Sequence, residues 1–322
     1  MPFPSIPYQR LSSGLWIRQN VSESVRPAFF WTGYEDWPYA THGGTILLVQ
    51  FNHQVFGLTC RHIFGDGINR FEESNLFVPE VKLAKVGARN ASIAEVCYPS
   101  SLKPDAIDTS ISDLCLLRFS SDFGPSFFTC TAYVIDENTI ATGFVGDELA
   151  VHGVLKEFTD FAVDPIEIGY CRLGFNDAGQ LLHNPIARKA VAEYIKPPFS
   201  NLAGLSGAPV FNETKNALSG LVIKGRINER NECVIEYVDI YDIVKFLTAA
   251  ERGDNDVFYR KSKPRPVTLK FGKDNLLGHA IVNWSWRTAT VAQSNDSDTA
   301  NHIIVDLDAP SKILSHQDLG RT

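Results

Sequence analysis

The sequence predicts a mostly β protein in two barrel-like halves, followed by one helix and a small C-terminal extension. Three observations carry that expectation. Short apolar segments separated by turn signals recur through residues 41–125, and the same texture returns over residues 126–237. Ile240, Ile243, Val244, Phe246 and Leu247 are spaced as the apolar stripe of one amphipathic helix over residues 238–252. With 322 residues, 44% of them hydrophobic, the chain is long enough to bury a large core.

Residues 1–40 are rich in proline and aromatic side chains (Phe29, Phe30, Trp31, Trp37) and read as an N-terminal arm packed on the body. The first half, residues 41–125, opens with the apolar run 45–51. A turn at Asn52-His53-Gln54 returns the chain into a second strand, which ends just before His62. Further on, Ser112-Asp113-Leu114-Cys115-Leu116-Leu117 sets an acid at the head of a buried-looking strand. The second half with its helix, residues 126–252, has its clearest strands at 149–154 and within 208–222. Residues 253–322 read as a linker and a C-terminal extension. The basic, proline-bearing stretch 260–266 belongs to the linker, and about three strands follow at 267–271, 280–286 and 302–307. No internal repeat of fixed period is present.

A formal net charge of −7 argues against nucleic acid and anionic membranes as main partners. The segment Met1-Pro2-Phe3-Pro4-Ser5-Ile6-Pro7 lacks the basic region and apolar core of a signal peptide. No apolar run reaches membrane-spanning length, so the expected location is cytoplasmic, with no membrane contact. The six cysteines are Cys60, Cys97, Cys115, Cys130, Cys171 and Cys233. Four stand in apolar strand-like runs, where cysteine behaves as a small hydrophobe. Their even number permits disulfides, which a chain of this size does not need.

The most informative stretch is Gly204-Leu205-Ser206-Gly207-Ala208-Pro209-Val210. Glycines two before and one after the serine let the backbone bend sharply, lifting the hydroxyl and aiming nearby N–H groups at one point. His62, Asp113 and Ser206 then stand in that order, each at the edge of an apolar strand. A nucleophilic serine needs a base to take its proton and an acid to orient that base. Asp105 and Asp108 remain alternatives for the acid. His42, His53, His152, His183, His279, His302 and His316 read as surface or loop histidines. Cys60-Arg61-His62 has no second ligand pair at a usual metal spacing, so neither a metal nor a cofactor is expected.

On these residues the sequence resembles the trypsin-like (chymotrypsin-fold) serine peptidases. Thr59-Cys60-Arg61-His62 is similar to their Thr-Ala-Ala-His segment, and residues 112–117 to their Asp-Ile-Ala-Leu-Leu strand. Residues 204–210 resemble their Gly-Asp/Asn-Ser-Gly-Gly-Pro-Val loop, and Leu218-Ser219-Gly220-Leu221-Val222 the Leu-x-Gly-Ile-Val strand after it. The resemblance spans roughly residues 40–252. It implies two six-stranded antiparallel β-barrels and a serine endopeptidase with His62, Asp113 and Ser206 as catalytic residues. It further implies an oxyanion hole at the N–H groups of Gly204 and Ser206. Ile223 to Gly225 would pair with the substrate backbone, and Ser200 and Cys233 would lie near the base of the specificity pocket. Neither Ser200 nor Cys233 is charged, which favours a neutral residue before the cut, while Lys224 and Arg226 at the rim favour acidic side chains.

The departures are informative. Ile63 and Leu202 stand where secreted animal members carry cysteines. Leu205 stands where zymogen-type members have an aspartate that pairs with a newly cut N-terminus. The resemblance is therefore closer to single-chain bacterial members, including high-temperature-requirement-like proteases, although residues 267–322 are too few for their peptide-binding domain. The partners expected are a protein or peptide substrate and, for control, the terminal segments or a regulatory protein. A catalytically silent or gated binding module and an esterase with the same triad remain alternatives.

Overall fold

The computed structural model describes residues 21–32, 39–65, 71–79, 91, 93–99, 113–119, 132–160, 166–182, 184–193 and 199–252, with strand backbone alone at 8–10, 16–18 and between 257 and 318. Strands β1 (Tyr8–Arg10) and β2 (Trp16–Arg18) pair as an antiparallel ribbon. The first half then comprises β3 (Val25–Pro27), β4 (Phe29–Trp31), β5 (Tyr39–Ala40), β6 (Thr45–Phe51), β7 (Gln54–Cys60), β8 (Leu76–Phe77), β9 (Ile93–Pro99), β10 (Leu114–Phe119) and β11 (Tyr133–Val134).

The second half comprises β12 (Glu148–Val154), β13 (Tyr170–Leu181), β14 (Asn184–Glu193), β15 (Pro209–Asn212), β16 (Ala217–Ile227) and β17 (Glu232–Asp239), then helix α1 (Ile240–Arg252). After the helix come β18 (Val257–Lys261) and a five-stranded antiparallel meander. Its strands are β19 (Pro266–Phe271), β20 (Asn275–Ser285), β21 (Thr288–Gln293), β22 (Asn301–Asp306) and β23 (Ile313–Asp318).

The fold is mostly β: one closed six-stranded barrel, a second sheet and the helix after them. The second half closes in the order β12-β13-β14-β17-β16-β15. The first half runs β11-β6-β7-β10-β9-β18 and is not closed among the described residues. Its two edges are occupied separately. β3 and β11 pair with consecutive parts of β6, whereas β18, from the stretch read as linker, pairs with β9. The β6–β7 hairpin turns on Asn52 and His53 alone, at φ 45° and 68°. Two successive positive-φ residues form the tight turn whose twist suits flanking antiparallel strands.

The apolar interior forms one cluster inside the barrel and another that joins the first sheet to the helix and to barrel residues such as Phe211, Leu218 and Leu221. Leu149, Val151, Phe175, Leu205, Val210, Val222 and Ile235 fill the barrel. The first sheet packs Leu47, Leu58, Cys97 and Leu116 in a cluster that also takes in Ile240, Ile243, Phe246 and Leu247 of α1. Helix and first sheet therefore share one core. Part of the N-terminal arm is interior too: Val21, Val25, Ala28, Phe29 and Phe30 are at most 1% exposed. Arg26 is fully buried, donating from Nε to Pro79 O at 3.0 Å and from Nη1 to the Glu23 and Val25 carbonyls at 2.7 and 2.9 Å.

Candidate active site

Antiparallel pairing of β7 with β10 sets Leu114 opposite Cys60. The residues one step beyond each strand therefore meet, and the Arg61 N–H donates to Asp113 O at 2.5 Å. His62 opens away from that point in a short 3₁₀ turn, Arg61–Phe64. The Asp113 carboxylate spans it. Oδ1 accepts the His62 backbone N–H at 3.0 Å, and Oδ2 lies 2.6 Å from His62 Nδ1. From the barrel side, Ser206 Oγ lies 2.8 Å from His62 Nε2. A carboxylate at Nδ1 favours the tautomer with the proton there, leaving Nε2 free to accept from the hydroxyl. The His62 side chain is 49% exposed and that of Asp113 23%, so the row opens to solvent.

The serine loop is held by its glycines. Gly204 has φ +109°, and a Cβ there would lie 2.1 Å from Val154 O; Gly207 has φ +86°, and its Cβ would lie 2.0 Å from Thr45 O. Neither position admits a side chain without moving backbone. Gly207 N donates to Val222 O at 2.7 Å and Ala208 N to Leu205 O at 2.8 Å, which commits the N–H groups after the serine. Among the described residues the Gly204 and Ser206 N–H groups have no protein acceptor, leaving both for an incoming oxygen. Leu205 is fully buried in the barrel core beside Gly153 and Ala208. An apolar anchor thus holds the residue before the serine.

One contact was not legible in the sequence. Thr45, at the start of β6, donates its N–H to Ser206 O at 2.7 Å and its Oγ1 to Gly204 O at 2.7 Å, and Oγ1 accepts from Val154 N at 3.0 Å. Nearby, Gly43 passes so close that a Cβ there would sit 3.1 Å from Gly204 N. The Gly43-Gly44-Thr45 run before an apolar strand was the available signal.

The remaining candidates are dispersed. Ile223 is 6% exposed and Gly225 half-buried, both on β16 past Leu221, the last residue paired with β15. Ser200 is exposed; its N–H and Oγ both donate to Glu157 Oε2 at 2.8 Å, and these bonds lower the Glu157 carboxyl below its usual range. Cys233 is fully buried, opposite Ile227 and Ala192. Ser200 is thus tied to Glu157, whereas Cys233 packs in the barrel core. Asp105 and Asp108 lie outside the described residues, as do Ser112 and Cys130. Cys60 Sγ, His62 and Asp113 offer donor atoms within 4.8 Å of one another. Those donors are committed: Nδ1 to Asp113, and the Cys60 thiol to Val222 O at 3.2 Å, with burial and the Asp113 charge raising it well above an ordinary thiol. The set does not suit a metal.

No protein-family model matches the sequence, and no curated protein matches it. Among solved structures, human heparin binding protein is similar with a TM-score of 0.48 at 11% identity, over 74% of this chain and 96% of that one. A mutant of the same human protein gives a TM-score of 0.44 at 12% identity, over 74% and 95%.

Proposed function

We propose that this protein is a serine endopeptidase of the chymotrypsin type acting through Ser206, His62 and Asp113. The observation behind this is the continuous hydrogen-bonded row Ser206 Oγ–His62 Nε2 (2.8 Å) and His62 Nδ1–Asp113 Oδ2 (2.6 Å), ending beside two N–H groups that have no protein acceptor among the described residues. Ser206 Oγ attacks the scissile carbonyl while its proton passes to His62 Nε2. Asp113 keeps the other ring proton on Nδ1 and stabilises the imidazolium. The carbonyl oxygen becomes an oxyanion facing the Gly204 and Ser206 N–H groups. As the adduct collapses, His62 returns its proton to the leaving amine. Water then repeats the cycle on the acyl-enzyme and frees Ser206.

Among the described residues β16 has no neighbour on its β15 side from Ile223 to Gly225, which supports a peptide substrate, because an extended chain can add there as a further strand. A small ester needs no such edge. The buried anchor at Leu205 supports a single-chain enzyme whose loop is ordered without a new N-terminus. The test is covalent labelling by a fluorophosphonate with hydrolysis of a peptide library. Wild type should be labelled on Ser206 and cleave peptides, and Ser206→Ala should lose both by a factor of about 10⁴ or more while folding unchanged. Labelling without any peptide turnover would favour a gated module. Undiminished cleavage by Ser206→Ala would remove the serine mechanism.

A further inference from the structure

The Gly204 N–H, one of the two donors assigned to the oxyanion in the function proposed above, is bordered by two segments outside the serine loop. One is Gly43, where a built Cβ would lie 3.1 Å from Gly204 N. The other is the short 3₁₀ turn Lys156–Phe158, whose first N–H donates to Ala203 O at 2.9 Å. The Lys156 side chain joins the two: the same built point on Gly43 lies 3.5 Å from its Cδ. The lysine stem and the Gly204 N–H therefore border one spot. The ammonium stands only two bonds beyond that Cδ, on a flexible chain. Lys156 is exposed, and among the described residues no carboxylate pairs with it. Its neighbour Glu157 is held by the Ser200 N–H and hydroxyl, each donating at 2.8 Å.

We propose that Lys156 is an auxiliary cation for the oxyanion, its charge favouring the negative oxygen that forms when Ser206 attacks. The inference rests on the serine peptidase reading. The two N–H groups supply short-range dipoles. A full positive charge adds to them across several ångströms, because Coulomb attraction falls only as the inverse of distance. The substrate carbonyl is neutral and gains charge only as its bond to Ser206 Oγ forms. The attraction therefore grows in the transition state and acts on turnover rather than on binding. Because Lys156 is exposed, salt screens it: the screening length is about 10 Å at 0.1 M and about 3 Å at 1 M.

The experiment measures how fast an uncharged alkyl fluorophosphonate labels Ser206 in about 20 mM and about 1 M sodium chloride. In labelling, the Ser206 Oγ–P bond forms as the P–F bond breaks, fluoride leaves with the bonding pair, and His62 takes the serine proton. The phosphoryl oxygen gathers negative charge at the same two N–H groups, and the probe carries no charge of its own for a lysine to hold. Lys156→Gln should slow labelling about three- to tenfold at low salt, as expected of an exposed charge several ångströms away, and the gap should narrow to within about twofold at high salt. Lys156→Arg should stay within about twofold of wild type, and Lys156→Glu should be slower than Lys156→Gln. With an uncharged peptide substrate the same loss should fall on kcat and leave KM unchanged. Equal labelling of wild type and Lys156→Gln at low salt would overturn the proposal. So would equal, salt-independent losses in all three variants, which would mark a packing role. A loss confined to peptides with acidic residues would also overturn it, setting the lysine against the substrate instead. Failure of the fluorophosphonate to label wild-type Ser206 would remove the peptidase reading itself, and the auxiliary cation with it.

Discussion

Thr45 holds Gly204 by its carbonyl: the threonine Oγ1 donates to Gly204 O at 2.7 Å across 159 residues of sequence. The same hydroxyl accepts from Val154 N at 3.0 Å, and the Thr45 N–H takes the Ser206 carbonyl at 2.7 Å. One residue of the first sheet thus fixes both carbonyls that flank Leu205. The N–H groups of those two peptides belong to Leu205 and Gly207, so Thr45 fixes the peptides on either side of the one that carries the Ser206 N–H.

Thr45→Val keeps the shape and removes the hydroxyl, leaving the Gly204 carbonyl and the Val154 N–H without their partner. The cost should be about 1–3 kcal/mol in chemical denaturation, typical of buried polar groups left unsatisfied. Fluorophosphonate labelling of Ser206 should slow as well. Unchanged stability and labelling would show that the hydroxyl does not support the loop.

Gly204→Ala places a methyl group 2.1 Å from Val154 O at φ +109°, so the peptide must rotate away. Losing one aligned oxyanion donor should lower peptide turnover by about 10²–10³. Steady-state kinetics with a circular dichroism melt would separate this from unfolding. Near-wild-type kcat in the folded variant would move the oxyanion hole elsewhere.

Asp113→Asn should cost about 10⁴ in turnover near neutral pH, since the amide favours the wrong imidazole tautomer. The amide oxygen can still accept the His62 backbone N–H, so the fold should persist. Comparable loss in Asp105→Asn or Asp108→Asn, with Asp113→Asn mild, would reassign the acid.

Burial pushes the Cys97 and Cys171 thiols up to about 12 from an ordinary value of 9.0. At pH 8 each is thiolate to only about one part in 10⁴, so iodoacetamide should modify them about 10³-fold more slowly in the native protein than in denaturant, leaving peptide turnover intact. The same shift fixes a sign for stability. Above pH 9 the unfolded chain releases these protons and the folded chain keeps them, so stability should fall as pH rises from 9 toward 12. A denaturation midpoint that holds or rises from pH 8 to pH 10 would contradict this.

Deleting residues 1–38 removes Val21, Val25, Phe29 and Phe30 from the core, together with β3, which pairs with β6. The expected result is lost solubility and a lower melting temperature, without activation. A stable deletion variant with raised turnover would identify the arm as an inhibitory segment instead.

Much of this was written in short stretches of sequence. The glycine-flanked serine, the acid at the head of β10, the histidine past β7 and the stripe of α1 are local patterns. Each depends on the backbone freedom or periodicity of a few neighbouring residues. The hairpin of β13 and β14 is not marked by the sequence, because its polar alternate residues hide the inward row Leu173, Phe175 and Asp177. Ser200 and Cys233 are paired only by the family resemblance; in the fold Ser200 is exposed against Glu157 and Cys233 is buried in the barrel core. The sequence by itself determined the mostly β class, the three residue types of the row and the absence of an acid at Leu205. Tertiary structure alone decided that Thr45 holds the serine loop, that β18 takes the edge of β9, and that the Lys156 stem lies along Gly43. Those are contacts between segments far apart in the chain, set by strand register and packing, and no local pattern of residues encodes them.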